Sequence, residues 1–287
     1  MLSRKAGRDA ATYPVSMPPV LHSPVLDALG RRITGGELPA GAALTLDGIG
    51  AEFGVSRTVA REAMRLLEGL GLVRSGPRVG IVVLPHPSWN VLDPRVIAWR
   101  LDGPGRTSQL RSLTELRQAV EPRAAAGAAR GATAAVRDEL VATASQMRTL
   151  GEAGEGDGAE FLALDIRMHE LLMRSSGNEL FSALADVVAV VISGRIHLGL
   201  MPAYPVPEAL EAHEAVARAV AAGDAEAAEE AMARIVREVR GALDDDPAPG
   251  RPADAAQAGR PGRSAQPARP PRSGLSAEPA LLRGVQP

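Results

Sequence analysis

The sequence has no cysteine, and its 287 residues include few aromatic side chains. Without cysteine there are no disulfides, no thiolate metal sites and no cysteine nucleophiles. Aromatic residues make up 2% of the chain and hydrophobic residues 45%, so the core must be aliphatic. An aliphatic core favours packed helices over a β-sandwich, whose strands prefer aromatic and β-branched residues. The length fits about two domains.

Long apolar runs are missing as well. No run of about eighteen apolar residues occurs, so no segment is predicted to span a membrane. Arg4, Lys5 and Arg8 near the N-terminus are not followed by the apolar segment that a secretory signal needs. These absences lead us to expect a cytoplasmic protein without a membrane partner.

The chain also lacks a strong net charge. Taken alone, a formal net charge of −2 argues against a polyanionic partner such as nucleic acid. The charge is unevenly distributed, however. Residues 1–84 hold ten basic and seven acidic residues, a net charge of +3, whereas residues 108–243 hold 13 basic and 20 acidic residues, a net charge of −7. The average conceals a mildly basic part attached to an acidic part.

The composition changes along the chain and predicts five segments. Proline-rich ends without apolar periodicity predict disorder. Short helical patterns and a β-like run come next, followed by a connector in which Pro94 starts a short helix. Apolar residues at three- and four-residue spacing then predict an all-helical bundle. The segments are a disordered arm (1–19), a mixed module (20–84), a linker (85–107), a helical domain (108–243) and a disordered tail (244–287).

The most informative stretch of the mixed module predicts two helices joined by a turn at Gly54. Asp47 is the candidate N-cap of the first helix and Ser56 that of the second. Apolar residues at helical spacing predict the buried face of the second helix: Val59, Ala63, Leu66, Leu67 and Leu70. Two helices joined by a glycine-containing turn describe a helix-turn-helix.

Arginines mark the other face of the second helix. Arg57, Arg61 and Arg65 recur every four residues, a spacing that also fits an ordinary solvated helix face. A helix N-terminus directs free N–H groups at phosphates, and arginines there can grip phosphates or guanine edges. Ser56 and Thr58 add short hydroxyl contacts. The face is therefore a candidate DNA-binding surface.

A predicted hairpin favours DNA binding over the solvated-face alternative. Residues 72–74 and 81–83 pair naturally as two strands, and Arg78 lies near the tip of this wing. Residues 55–67, followed by Gly71, closely resemble the winged-helix signature of GntR-family transcription regulators. The resemblance, together with the hairpin and the helix N-terminus, implies these contacts with operator DNA: Ser56, Arg57, Thr58, Arg61, Arg78 and Gly80. Many members have arginine where this sequence has Asp47, so one common base contact is not expected here.

The helical domain contains a candidate metal site. Asp165 and His169 are four residues apart and project from one helical face, and His213, on another predicted helix, can close a triad. Three such ligands leave positions on a Zn, Ni or Mn ion for an oxygen ligand. An ordinary surface or capping pair is the alternative at this spacing. Arg117 can take a carboxylate in two hydrogen bonds, and Arg195 and His197 are further candidates for effector binding.

The same domain resembles the ligand-binding (FCD) domain of the FadR-type GntR subfamily. The motifs that carry the resemblance are Glu115-Leu116-Arg117 with Glu121-Pro122, residues 165–170, Gly177-Asn178 and residues 211–216. The connector, residues 89–99, is most like that of galactonate-operon-type repressors. The subfamily pattern implies metal binding by the triad, and many relatives have a fourth ligand, a histidine, where this sequence has Ile235.

Together these observations predict a mainly α protein, a winged helix-turn-helix followed by an all-helical ligand-binding domain. The expected function is a homodimeric repressor that binds a short palindromic DNA operator and is released by a small carboxylate, such as a sugar acid. A metal-responsive regulator and a small metal-dependent hydrolase are the alternatives. No glutamate lies beside the candidate ligands in a hydrolytic pattern, and no nucleophile elbow occurs, so an enzyme is not expected.

Overall fold

The computed structural model describes residues 24–76, 80–197 and 201–245, which all belong to one compact unit. The predicted arm, most of the tail and Arg78 lie outside these residues. The described ranges contain eleven α-helices. They are α1 (Pro24–Thr34), α2 (Leu46–Phe53), α3 (Arg57–Gly69), α4 (Pro94–Leu101), α5 (Arg106–Gly131), α6 (Ala134–Glu152), α7 (Ala159–Arg174), α8 (Glu179–Ala183), α9 (Ala185–His197), α10 (Pro207–Ala222) and α11 (Ala225–Asp245). None of them is both long and apolar enough to cross a membrane.

Three strands, β1 (Ala43–Leu44), β2 (Val73–Gly76) and β3 (Gly80–Val83), form an antiparallel sheet in the order β1-β3-β2. Val73 pairs with Val83 and Gly76 with Gly80, so β2 and β3 form the predicted wing. Strand β1 was not predicted, because two residues are too few to show a strand alternation. The mainly helical fold with an N-terminal winged helix-turn-helix is confirmed.

Capping residues determine where the two helices of the helix-turn-helix begin and end. The predicted cap at Asp47 was wrong: the Thr45 hydroxyl accepts from Gly48 N at 3.0 Å, and Asp47 lies in the first turn. Gly54 ends α2 with φ of +64°, a left-handed conformation that glycine adopts at no steric cost. The Ser56 hydroxyl then accepts from Val59 N at 3.3 Å, which confirms Ser56 as the N-cap of α3.

The buried face of α3 differs in part from the prediction. Ala63, Leu67 and Leu70 are buried as expected, but Val59 is 40% exposed and Leu66 is only half-buried. Ala60 and Met64 are buried in their place. The centre of the buried face is thus rotated by about 50° around the helix axis, roughly half of the 100° that separates successive residues. Helical spacing alone allows either rotation, and packing against α1 and α2 selects one of them.

The short helix α4 connects the two cores. Val96 and Trp99 pack in the core of the winged helix, and the Trp99 ring lies against Gly30 of α1. The Trp99 Nε1–H donates to Asp27 Oδ1 at 3.0 Å. Ile97 and Leu101, on the other side of α4, pack with apolar residues of α5 and α9. Within the predicted linker it is therefore α4 that contributes side chains to both cores.

The helical domain packs α5, α6, α7, α10 and α11 around an aliphatic core. Much of this core is alanine, which lets the helix backbones approach closely. Helix α5 lies between α7, α10 and α11, so polar side chains on its inner face must find partners inside the bundle. This arrangement places the site described next.

Candidate functional site

The predicted DNA contacts lie on an exposed surface of the winged helix. Ser56, Arg57, Thr58 and Arg61 are all exposed on the first turns of α3. Gly80, at the start of β3, is also exposed and has φ of +77°. A groove between α3 and the wing is lined by residues of both, including Arg57, Arg61 and Gly80. This surface presents arginines and a helix N-terminus together, as binding to a phosphate backbone requires.

One contact on this surface was not predicted. Asp47 of α2 forms a two-point ion pair with Arg57, with Nε–Oδ1 at 2.7 Å and Nη2–Oδ2 at 2.8 Å. Both side chains are 71% exposed and line the groove. The ten-residue separation across a turn gives no periodic signal, so the sequence could not reveal this pair.

The three predicted metal ligands come together inside the helical domain. Asp165 and His169 lie on the inner face of α7 and His213 on that of α10, and all three are buried. One ligand atom from each lies within 4.8 Å of the others. His169 Nε2 is 3.3 Å and His213 Nε2 is 3.4 Å from the same oxygen, Asp165 Oδ1. Two ligands at about 2.1 Å from a tetrahedral zinc ion lie about 3.4 Å apart, so these separations fit a shared ion.

Each of the two rings has an oxygen acceptor next to its Nδ1 atom. His213 Nδ1 donates to the Ala209 carbonyl at 2.7 Å, so in the neutral ring Nε2 carries the lone pair that faces Asp165. His169 Nδ1 lies 2.8 Å from Glu121 Oε2. Asp165 Oδ1 is buried and has no hydrogen-bond partner among the described residues. Two ring nitrogens facing a buried carboxylate oxygen need a cation between them, either protons or a metal ion.

The charges of this cluster are strongly coupled. Burial lowers the pKa of His169, but Glu121 and Asp165 outweigh burial and raise that pKa to about 9. Burial raises the pKa of Asp165, yet both histidines hold it well below its usual value. The metal-free cluster is therefore a carboxylate with at least one imidazolium, and a metal ion would replace the proton of that ring.

Glu121 joins this cluster to Arg117. On the inner face of α5, Arg117 Nε and Nη2 donate to the two Glu121 carboxylate oxygens at 2.5 and 3.3 Å, and both side chains are buried. Burial raises the pKa of Glu121, but Arg117 and His169 lower it to about 2. Glu121 was not predicted to have a role, although its four-residue spacing from Arg117 was a usable signal.

A cavity of about 100 Å³ lies against the triad. Arg117 and Arg195 both line it, and no residue that the structure describes hydrogen-bonds to the buried Arg117 Nη1. Arg195 forms no ion pair with any residue that the structure describes, and burial together with Arg117 lowers its pKa to about 10. Ile235 forms part of the apolar wall. The side chain of His197 lies outside the described residues.

The chain matches two family descriptions. Residues 21–83 match "Bacterial regulatory proteins, gntR family", and residues 112–238 match "FCD domain". The chain belongs to the GntR family. This GntR protein is a DNA-binding transcriptional regulator and not an enzyme, as the sequence predicted, and the hydrolase alternative is excluded.

Two relatives of this GntR regulator come from Escherichia coli (strain K12). The "Uncharacterized HTH-type transcriptional regulator YieP" is 28% identical over 212 residues, 74% of this chain and 90% of YieP. The "Galactonate operon transcriptional repressor" is 29% identical over 210 residues, 72% of this chain and 87% of the repressor. Among solved structures, Streptococcus agalactiae GntR is 25% identical, with a TM-score of 0.42 and coverage of 76% of this chain and 98% of that one.

Proposed function

We propose that this regulator is a homodimeric repressor whose hold on a short palindromic operator is released by a small carboxylate, bound beside a divalent metal ion. The observation that carries the proposal is the buried Asp165 oxygen that faces two histidine nitrogens next to a cavity with two cationic side chains. The name of the galactonate operon repressor supports a sugar acid as the class of effector.

The metal would be held by Asp165, His169 and His213. All three offer hard or intermediate N and O ligands, which suit Zn, Ni or Mn. Glu121 and the Ala209 carbonyl would fix the two rings from behind, as partners of metal-bound histidines commonly do. Because the side chain at 235 is isoleucine, it supplies no fourth ligand, and open positions remain for oxygens of the effector. The metal would supply Lewis-acid attraction for those oxygens.

The carboxylate of the effector would be held by Arg195 and by the free Nη1 of Arg117. The sequence predicted that Arg117 binds the effector through two hydrogen bonds, but its Nε edge donates to Glu121 instead. Only Nη1 remains to bind the effector. Arg195 is a desolvated cation without an ion pair among the described residues. An anion that enters the cavity can therefore form a charge-assisted hydrogen bond with Arg195, and no existing ion pair has to break. The proposal keeps His197 as an effector-binding residue, as the sequence predicted.

In this proposal the regulator acts in the cytoplasm, and its helical domain communicates with its winged helix. Effector binding changes DNA affinity only if the effector binds one arrangement of the dimer more tightly than the other. Two winged helices on a palindrome add their contacts, which compensates for the modest affinity of one short recognition helix.

A gel-shift titration tests the proposal. The metal-loaded full chain is titrated onto DNA upstream of its own gene, with and without a panel of sugar acids. We expect one acid to weaken binding about 5- to 150-fold, the usual range of allosteric coupling, and Arg195→Ala to abolish this response while DNA binding remains. Arg174→Ala, which removes an exposed arginine of α7, is the matched control and keeps the response.

Two outcomes contradict the proposal. If added metal alone changes operator binding of the chelator-treated protein and no acid changes it further, the metal ion is the signal. If Arg195→Ala responds to the acid like the unchanged protein, the carboxylate is not held in this cavity.

A further inference from the structure

An acidic side chain occupies the groove that faces DNA, where it works against phosphate binding. Asp47 lies in this groove together with Arg57, Arg61 and Arg65. We propose that Asp47 is a specificity-determining residue, which holds Arg57 in the orientation that reads one guanine of the operator. The inference goes beyond the repressor mechanism, since it needs only that α3 binds in the major groove.

The geometry of the pair leaves one edge of Arg57 free. Nε and Nη2 of Arg57 each contact a different oxygen of Asp47, at 2.7 and 2.8 Å. A guanidinium has five N–H donors in a planar fork, and a side-on pair uses the Nε–H and one Nη2–H. The remaining edge, formed by Nη1 and the second Nη2–H, is the one that donates to guanine O6 and N7 together. Asp47 thus accepts hydrogen bonds from the edge of Arg57 that does not contact the guanine.

The three groove arginines differ in their partners. Among the residues that the structure describes, Arg57 has an ion-pair partner, whereas Arg61 and Arg65 have none. An unpaired arginine is free to follow a phosphate, whereas a paired one favours the rotamer that its partner stabilises. The geometry therefore assigns base reading to Arg57 and backbone contacts to Arg61 and Arg65.

Both members of the pair are held in place by their helices. Asp47 lies in the first turn of α2, which Thr45 caps, and Arg57 is the first residue of α3 after its cap Ser56. Stability gives no comparable reason for the pair, because both side chains are 71% exposed and such surface pairs contribute little. The cost of a carboxylate near phosphates is offset if the pair sharpens recognition of a base.

The experiment selects binding sites from a randomised duplex DNA pool with the full chain, then compares affinities for the selected duplex and for duplexes with single base changes. We expect the unchanged protein to prefer one guanine by roughly 5- to 150-fold, the discrimination of one bidentate contact. Asp47→Ala and Arg57→Ala should lose most of this preference at the same position, and the double variant should lose no more than Arg57→Ala. Glu52→Ala is the matched control, because it removes a carboxylate of α2 that pairs with Arg32 outside the groove, and it keeps the preference.

Two results would overturn the inference. In the first, Asp47→Ala binds all duplexes more tightly and keeps the guanine preference, so Asp47 only lowers the positive charge of the groove. In the second, Asp47→Ala loses preference at a different base pair from Arg57→Ala and the two losses add. Asp47 would then accept a hydrogen bond from a cytosine amino group itself. Circular dichroism of each variant checks that the fold is retained.

Discussion

Glu121 is the residue on which the interior of the helical domain depends most. It is a buried carboxylate that contacts two buried cationic groups, the guanidinium of Arg117 and the ring of His169. A buried charge needs compensation by a partner, and here one side chain compensates the charge of Arg117 and orients a candidate metal ligand. Its loss should therefore affect both stability and metal affinity.

We predict that Glu121→Gln destabilises the protein by about 3–5 kcal/mol, because it leaves the guanidinium of Arg117 buried without a counter-charge. The same change should weaken zinc binding by about 10- to 100-fold, since the His169 ring loses its anionic partner. Urea denaturation of the chelated protein measures the first effect, and competition with a zinc indicator measures the second.

Glu139→Gln is the control for this prediction. Glu139 pairs with Arg167 at the surface, with 42% of its side chain exposed, so its replacement should cost less than about 1 kcal/mol and leave zinc affinity unchanged. If Glu121→Gln lowers the free energy of unfolding no more than this control does, then Glu121 does not compensate the buried charge of Arg117.

At the scale of elements, α4 determines how closely the winged helix joins the rest of the chain. The ring of Trp99 lies so near Gly30 of α1 that a Cβ atom added there would be 2.5 Å from the ring. Real Cβ atoms essentially never make so short a contact, so either the Trp99 ring or the two helices must shift if a side chain is present. The glycine is therefore a packing requirement of this interface.

We predict that Gly30→Ala destabilises the protein by about 1–3 kcal/mol through overpacking, although alanine is the better helix former. Gly69→Ala is the matched control, because a Cβ atom at this position of α3 meets no atom within 4 Å. That variant should be unchanged or more stable by at most about 1 kcal/mol. Thermal unfolding measures the melting temperatures of both variants. Equal melting temperatures would contradict the prediction, because they would show that α4 can move away from α1 without loss of stability.

These elements also show how far the sequence alone leads. The helices, the wing and the Asp165, His169 and His213 cluster follow from spacing and motif resemblance, because periodicity fixes which residues share a face. The pairing of Asp47 with Arg57 and the packing of Trp99 on Gly30 do not follow. Both depend on the angle between two helices, which no local pattern records.

At the scale of the whole molecule, the charge is divided between the two functional parts. Residues 1–84 carry a net charge of +3 and residues 108–243 a net charge of −7. A basic excess of three is too small for a broad electrostatic field, so affinity for DNA should depend on a few placed arginines. The acidic helical domain, by contrast, should repel nucleic acid.

We predict a modest salt dependence for operator binding. If Arg61 and Arg65 of each protomer neutralise one phosphate each, a dimer contacts about four, and log K should fall with log salt at a slope of about −4. Arg61→Ala removes two of these contacts per dimer, so the slope should become shallower by about 2 and affinity should fall for all sequences alike. Titrations of the selected duplex at several salt concentrations measure both slopes. A slope near −8 would instead mean that cationic groups beyond α3 contact DNA, and an unchanged slope in Arg61→Ala would remove this arginine from the phosphate contacts.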